Sequence, residues 1–207
     1  MIVLYSHPLS GNSYKARLFL SLLGLDREVK TVDLMKGEHK SPEYLAINPF
    51  GQVPALVDGE EVILDAQAIL VYLARKYGNE SWLPLDAFSL SAVTRWLSTT
   101  SGEIRQGPEF ARLFHLFGVK TIDIEMAAQK SAFILEAIEQ HLSDRDWLAT
   151  DTPTIADIAA FPYIALAPDG HISLDDYPNI RAWIDRIRHL PGFVGMRSIP
   201  APDTVGV

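Results

Sequence analysis

The chain has 207 residues, which is enough for one or two domains. Hydrophobic residues make up 48% of it and charged residues 21%, a composition that is typical of a globular protein and excludes a disordered one. Its 18 basic and 26 acidic side chains give a net charge of −8. Because nucleic acids and anionic membranes are bound by basic surfaces, we expect neither as a partner.

The sequence contains no cysteine. This excludes disulfides, thiolate metal sites and cysteine nucleophiles, so any sulfur chemistry must come from a bound ligand. Apolar runs are short, and the first ten residues lack the basic region of a signal peptide. We therefore predict a cytoplasmic protein that has no metal site and does not span a membrane.

The first 78 residues alternate between strand-like and helix-like patterns. The turn residues Asp58 and Gly59 separate two apolar runs and predict a β-hairpin. Gly24 and Gly78 each follow an amphipathic segment and predict helix ends. In chain order, we predict a strand over 2–5, a loop over 7–12, a helix over 13–23, a strand over 29–34, a short helix, strands over 53–57 and 61–64, and a helix over 66–77.

From residue 89 onward the apolar residues recur only at helical spacing. The predicted helices cover about 89–116, 121–142, 154–167 and 179–190. Thr154 and Asp157 have the spacing of a capping box, which predicts a structural helix start. The sequence therefore predicts an α/β domain over 1–78 with the order β-α-β-α-β-β-α, a linker over 79–88 and an all-α domain over 89–207.

Four segments, in this order along the chain, carry a resemblance to a known family. They are Ser-Gly-Asn-Ser-Tyr-Lys-Ala-Arg (10–17), Asn-Pro-Phe-Gly-Gln-Val-Pro-Ala-Leu (48–56), Asp-Ala-Gln-Ala-Ile-Leu (65–70) and Thr-Ile-Ala-Asp (154–157). Together they resemble the cytosolic glutathione transferases, with patterns closest to the bacterial Nu class and to the zeta and phi classes. The resemblance implies a thioredoxin-like N-terminal domain that binds glutathione, a helical C-terminal domain, and an enzyme of detoxification that activates the glutathione thiol for attack on an electrophile.

The resemblance also implies where glutathione binds. The Val53–Pro54 peptide is cis in the family, and the Val53 backbone pairs with the cysteinyl part of the tripeptide, as in β-augmentation. Asp65 stands where the family has an acid for the γ-glutamyl ammonium. Ala66 replaces the usual serine, so its backbone N–H and the side chain of Gln67 are the remaining candidates for the γ-glutamyl carboxylate.

The glycyl end of glutathione is assigned to three further residues. His39 and Lys40 lie in a segment similar to one of plant-type members, where the basic pair meets the glycyl carboxylate. Gln52, next to Val53, is a third candidate for that end. Solvated loop charge is the alternative for His39 and Lys40.

Thiol activation requires a hydrogen-bond donor rather than a base. The thiol pKa of a free cysteine is near 8.5, and lowering it by about 2 units needs roughly 2.7 kcal/mol, which about one hydrogen bond to a charged group supplies. Ser10 and Asn12 are the predicted donors, with Ser13 as the N-cap of the first helix. Tyr5, the counterpart of a tyrosine-type donor, is expected in the core of the first strand.

The electrophile is expected to be a small hydrophobic molecule in an apolar cleft. Leu9 and Tyr14 flank the thiol-binding loop, and Arg105, Phe110 and Phe114 lie on the predicted helix 89–116 that crosses above it. Interhelical core packing is the alternative for the two phenylalanines. The same helix, with Trp96, carries more apolar surface than one domain needs, and the resemblance implies a homodimer.

Two other functions remain compatible with the sequence. One is a glutathione-dependent reductase of disulfide bonds or peroxides that uses no protein cysteine. The other is a catalytically silent member that serves as an interaction module, which the replacement of serine by Ala66 favours. Gly11 and Asn12 depart from the zeta-class motif, which weakens a maleylacetoacetate isomerase activity.

Overall fold

The computed structural model describes residues 1–202. Four strands form one mixed sheet in the order β2-β1-β3-β4. The strands are β1 (Ile2–Ser6), β2 (Arg27–Thr31), β3 (Ala55–Asp58) and β4 (Glu61–Leu64). β1 pairs with β2 in parallel and with β3 in antiparallel fashion, and β3 pairs with β4 through the hairpin predicted at Asp58 and Gly59. The hairpin is confirmed.

Three helices belong to this half of the chain: α1 (Gly11–Leu22), α2 (Pro42–Leu45) and α3 (Ala66–Lys76). A 3₁₀ turn, Glu38–Lys40, precedes α2. Along β1, Ile2 and Leu4 are buried, whereas Tyr5 is half-buried and packs edge-on against Tyr44 of α2. The element order is the predicted one.

The start of α1 differs from the prediction. Ser10, not Ser13, is the N-cap, because its backbone is extended and its Oγ accepts a hydrogen bond of 3.1 Å from the Ser13 N–H. Ser13 is fully buried, and its Oγ accepts the His7 N–H at 3.2 Å. Both serines have the right residue type for a cap, and the backbone of the preceding loop decides between them.

The second half of the chain is helical. Its elements are α4 (Ala87–Thr99), a π-helical segment (Thr100–Glu109), α5 (Phe110–Phe117), α6 (Ile124–His141), α7 (Ile155–Ala165), a 3₁₀ turn (Ala167–Gly170) and α8 (Pro178–Arg188). The predicted helix 89–116 is therefore divided into an α-helix, a π-helical segment and a second α-helix. α4 begins at Ala87, two residues before the prediction, because Asp86 caps the Ser89 N–H at 2.9 Å.

Helix α7 forms the centre of the helical half. All residues from Ile155 to Ile164 are buried, and the capping box of Thr154 and Asp157 is confirmed. The buried Asp157 also accepts hydrogen bonds from the Leu148 N–H and from the Trp183 indole. One buried carboxylate thus joins α7, α8 and the preceding loop.

The two halves pack through α1 and α7. A Cβ atom at Gly11 would lie 2.8 Å from the Tyr163 ring, so only glycine permits this approach of α1 to α7. Among residues 1–202, no helix is long and apolar enough to cross a membrane. A cleft lies on the side of this junction where α1 begins.

Candidate functional site

A cleft of about 550 Å³ opens between the sheet half and the π-helical segment. This volume is within the range of small-molecule sites. Three walls define it: the start of α1, the loop and helix start around Val53 and Asp65, and the π-helical segment with Tyr163 of α7. Residues that are far apart in the sequence therefore line the same cleft.

Ser10 forms the first wall at the N-terminus of α1. Its Oγ accepts the Ser13 N–H, and a hydroxyl group can donate one hydrogen bond while it accepts another. Among the described residues, that proton has no acceptor. The site therefore offers a hydroxyl donor beside the positive end of a helix dipole, which favours a bound anion.

The second wall begins at the edge of the sheet. The Val53–Pro54 peptide is cis, as the resemblance implied. Val53 precedes β3, and within residues 1–202 its backbone N–H and C=O bond to no protein group. The preceding carbonyl, that of Gln52, is held by the Tyr44 hydroxyl and the Asn48 side chain, each at 2.7 Å. The loop is fixed, and its Val53 edge is open for a peptide-like ligand.

The same wall continues at the start of α3. Asp65 is the N-cap, with a left-handed φ of 76°, and its Oδ1 accepts the N–H groups of Gln67 at 2.8 Å and Ala68 at 3.1 Å. Gln67 Nε2 donates to Ser101 Oγ at 2.7 Å, while Gln67 Oε1 is buried and has no protein partner in the described chain. An unpartnered polar atom of this kind fits a polar ligand in the cleft.

A buried polar cluster forms the base of the cleft. Asn12, Glu109 and Tyr163 line the cleft, and Lys15 lies behind Asn12. Lys15 Nζ donates to Asn12 Oδ1 at 2.8 Å, and Asn12 Nδ2 donates to Glu109 Oε1 at 3.5 Å. Lys15 is 1% exposed and Glu109 7% exposed, so these two charges have little access to water.

Burial changes the titration of this cluster. Burial lowers the pKa of Lys15 to about 8, against the opposing effect of Glu109 and Asp65, whose negative charges favour the ammonium. Burial raises the pKa of Glu109, while the positive charges of Lys15 and Arg105 work against that rise. Burial also raises the pKa of Tyr163, so its hydroxyl stays protonated near neutral pH.

The comparisons with known proteins agree with this geometry. The glutathione S-transferase N-terminal domain model matches residues 1–75, and the C-terminal domain model of the same family matches residues 108–191. The chain is 36% identical to glutathione S-transferase 3 of Zea mays, over 96% of this chain and 95% of the maize protein. The chain belongs to the glutathione S-transferase family.

Two further similarities extend over nearly the whole chain. The maleylacetoacetate isomerase of Pseudomonas aeruginosa is 33% identical, over 97% of this chain and 98% of that protein. A crystal structure of a possible glutathione S-transferase from Rhodopseudomonas palustris superposes with a TM-score of 0.86 at 32% identity, over 99% of this chain and 94% of that one. The N-terminal sheet domain and the C-terminal helical domain of the glutathione S-transferase fold are therefore both present.

In this glutathione S-transferase the two predicted thiol donors face the same cleft. Ser10 and Asn12 both line it, whereas Tyr5 lies outside it and packs against Tyr44 and the Lys30 ammonium. Six of the eight predicted glutathione contacts also line the cleft: Gln52, Val53, Pro54, Asp65, Ala66 and Gln67.

His39 and Lys40 lie behind the cleft wall. Lys40 Nζ donates to the carbonyls of Phe50 and Gly51 at 3.1 and 3.2 Å. His39 Nδ1 is buried and has no partner in the described residues, and burial lowers the pKa of its imidazole. The pair therefore touches the loop that lines the cleft and does not itself line it.

The cleft lining differs from the predicted electrophile pocket. Tyr14 is fully buried, donates to the Val194 carbonyl at 2.7 Å and does not line the cleft. Phe110 and Phe114 do not line the cleft either; they pack against the cationic ends of Arg105 and Lys120, respectively.

Leu9 is also outside the cleft lining, although its carbonyl accepts a hydrogen bond from the buried Arg112. Arg105 is the one predicted pocket residue that lines the cleft, where Thr100, Ser101 and Leu113 accompany it. The wall formed by the π-helical segment is therefore more polar than predicted. Among residues 1–202, no three His, Asp or Glu side chains are grouped to hold a metal ion.

Proposed function

We propose that this glutathione S-transferase binds glutathione along the Val53 and Asp65 wall and ionises its thiol at Ser10 and Asn12. The sulfur then attacks an electrophilic small molecule held against the π-helical segment. The thiol proton passes to solvent, a sulfur–carbon bond forms, and the leaving group departs with its electron pair. One observation carries the proposal: the Ser10 hydroxyl, which donates to no group among residues 1–202, lies at a helix N-terminus in a cleft whose other wall has the Val53 backbone unbonded within the same residues.

The magnitudes are sufficient without a base or a metal. A charged hydrogen bond contributes about 1.5–3 kcal/mol, and a helix N-terminus adds about 0.3–1 kcal/mol. A shift of about 2 units in the thiol pKa corresponds to about 2.7 kcal/mol. Ser10, the start of α1 and Asn12 together can therefore hold glutathione as its thiolate near neutral pH.

Each part of glutathione is assigned to particular residues of the cleft. Val53 pairs through its backbone with the cysteinyl part, Asp65 takes the γ-glutamyl ammonium, and the Ala66 N–H with Gln67 takes the γ-glutamyl carboxylate. Gln52 is placed near the glycyl carboxylate, as its lining position supports. Lys40 contributes positive charge from behind the Phe50–Gly51 loop. His39 lies beside it as a proposed polar contact, and burial lowers the pKa of its imidazole.

We also propose that the protein is a cytoplasmic homodimer with a sheet domain over 1–78 and a helical domain over 89–207, of which 203–207 lie outside the described residues. The resemblance to cytosolic glutathione transferases supports the location. Exposed aromatic side chains support the dimer, since Phe50 is 75% and Phe88 84% exposed. Trp96, in contrast, is buried within its own chain and offers nothing to a partner.

Binding to immobilised glutathione and conjugation of a chloronitrobenzene test the activity. We expect retention on the resin, elution with free glutathione, and product formation that rises with pH. Retention without conjugation, but with reduction of hydroxyethyl disulfide, would replace the transferase by the reductase. Failure to bind glutathione at all would leave only the interaction module.

A further inference from the structure

Lys15 is a charged residue in an unusual place. It lies on α1 one turn after Asn12, and it is 1% exposed. Lysine is almost never fully buried unless it is paired with an acid. Here the Nζ atom bonds directly to the neutral side chain of Asn12 at 2.8 Å, while the described structure has no ion pair within 4 Å between Lys15 and Glu109. Stability alone would be served as well by an apolar residue.

The charged groups of Lys15 and Glu109 determine the orientation of the Asn12 side-chain amide. An ammonium group can only donate hydrogen bonds, and a carboxylate can only accept them. With Lys15 at one end and Glu109 at the other, Asn12 Oδ1 must face the ammonium and Nδ2 must face the carboxylate. One N–H of Nδ2 is directed to Glu109. The second has no acceptor among residues 1–202, and Asn12 lines the cleft.

We infer that Lys15 is a positioning residue for thiol activation, which orients the Asn12 amide so that its second N–H donates to the glutathione sulfur. The inference rests on the proposed function, because Lys15 acts on the thiol only through Asn12. The ammonium also polarises the amide to which it bonds, and a more polarised N–H is a stronger donor to an anion.

Groups from every neighbouring element act on Lys15. Glu109 of the π-helical segment and Asp65 before α3 favour its charged form, and Arg105 disfavours it. The Tyr163 ring of α7 lies 5.1 Å from Nζ. With its pKa lowered to about 8 by burial, Lys15 is charged at neutral pH and below. This is the range in which free glutathione, with a thiol pKa near ~8.5, needs help to ionise.

The test is a titration of the thiol of bound glutathione by its thiolate ultraviolet absorbance. It compares the parent protein, Lys15→Met, Asn12→Ala and the double variant. Methionine keeps the length and burial of Lys15 and removes its charge and its donors. We expect Lys15→Met to raise the thiol pKa by about 1 unit, which lowers kcat about fivefold near pH 6.5. The KM for glutathione should stay within about twofold, and the kcat defect should close above about pH 8.5.

The Asn12→Ala background separates positioning from a direct effect of charge. If Lys15 acts through Asn12, Lys15→Met adds no further rise of the thiol pKa in that background. An equal rise in both backgrounds would overturn the inference and make Lys15 a direct electrostatic stabiliser. Lys36→Met, the same change at an exposed lysine outside the cleft, is the matched control and should leave pKa and kcat unchanged.

The remaining outcomes distinguish this inference from the proposed function. If the parent protein lowers the thiol pKa and Lys15→Met lowers it equally, the inference is wrong and the proposed function stands. If the parent protein itself leaves the thiol pKa unshifted, the proposed function fails. Should Lys15→Met not fold by circular dichroism, Lys15→Gln, which is polar and uncharged, replaces it with the same expected rise and the same contradicting result.

Discussion

The Ser10 hydroxyl has one observed interaction and one proposed interaction. It accepts the Ser13 N–H and so closes the first turn of α1. Ser10 also lines the cleft, where its hydroxyl donates to no group among the described residues. A cap and the proposed thiol donor therefore share one side chain. Loss of that side chain should affect stability by about 1 kcal/mol through the cap, and thiol ionisation through the donor, so the two effects need separate measurement.

Asp65 is likewise an N-cap, of α3, and is also the proposed partner of the γ-glutamyl ammonium. Asp65→Ala should weaken glutathione binding about five- to tenfold, which corresponds to about 1 kcal/mol for a partly exposed ion pair with the γ-glutamyl ammonium. Isothermal titration calorimetry with glutathione measures this. The matched control is Asp86→Ala, which removes an aspartate N-cap from α4 and should lower stability without a change in affinity. Equal affinity of Asp65→Ala and the parent would remove Asp65 from the binding site.

At the scale of elements, the π-helical segment forms the cleft wall against which the electrophile is proposed to bind. Its hydrogen bonds span five residues rather than four, so residues four to five apart share a face. This places Ser101, Arg105 and Glu109 along one wall of the cleft. Phe110 and Phe114, which were predicted from the sequence to line the pocket, lie in α5 and do not line this cleft.

Arg105→Met should therefore change electrophile preference. We expect kcat/KM to fall about tenfold for an electrophile with a carboxylate group and to change less than about threefold for a neutral aryl halide, since one charged hydrogen bond is lost. The KM for glutathione should be unaffected. Phe114→Leu is the control, because Phe114 lies in α5, directly after the π-helical segment, and outside the cleft. A larger effect from Phe114→Leu than from Arg105→Met would restore the apolar pocket.

A second element-scale interaction ties α3 to the β3–β4 hairpin. Asp58 at the end of β3 is hydrogen-bonded by the hydroxyls of Tyr77 and Tyr72 and lies 2.9 Å from the Lys76 ammonium. The Tyr77 hydrogen bond, with the Lys76 and Tyr72 contacts, lowers the pKa of the Asp58 carboxyl to about 2. The carboxylate thus stabilises the folded state.

Asp58→Asn should lower the free energy of unfolding by about 1 kcal/mol at pH 7, a value reduced for solvent screening because Lys76 is 41% exposed. The folded-state pKa lies below the unfolded value, so this contribution is present above about pH 4 and is lost as the pH falls toward 2. Urea unfolding at pH 7 and near pH 3 measures both values. An undiminished difference near pH 3 would mean that the carboxylate charge is not the cause.

The helices and strands could be predicted from the sequence because the spacing of apolar residues and the turn residues are local signals. The hairpin at Gly59, the capping box at Thr154 and the end of α3 before Gly78 are of this kind. The choice between Ser10 and Ser13 as N-cap could not be predicted, since it depends on the backbone of the loop after β1. The π winding over Thr100–Glu109 has no local sequence signature that separates it from an α-helix.

At the scale of the whole molecule, the cleft wall that carries Val53 and Asp65 could be predicted from the sequence and the base of the cleft could not. The wall residues lie in continuous motifs such as 48–56 and 65–70. The base joins Lys15 and Asn12 to Glu109 across a separation of 97 residues between the last two. Glu109 sits next to Pro108 in a segment without a motif, so only the fold brings it to Asn12. The close packing of Gly11 on Tyr163 is the physical reason that the two halves meet there.

Assembly is the other prediction at this scale. Sedimentation equilibrium at micromolar concentration should give a mass twice the 23.0 kDa of the chain, because exposed aromatic surface favours association. The double substitution Phe50→Ser/Phe88→Ser should shift the equilibrium toward the monomer, since these side chains are 75% and 84% exposed. A parent protein that sediments as a monomer would contradict the proposed dimer.

The thiol pKa of bound glutathione, titrated in the parent protein and in Ser10→Ala, tests the central claim most directly. We predict that the parent lowers this pKa by about 2 units and that Ser10→Ala raises it again, with slower conjugation near neutral pH and a smaller defect at high pH. Ser41→Ala removes a serine N-cap from α2, away from the Ser10 wall, and should leave the thiol pKa at the parent value. A parent-like thiol pKa in Ser10→Ala, together with a large rate loss in Tyr5→Phe, would contradict the account.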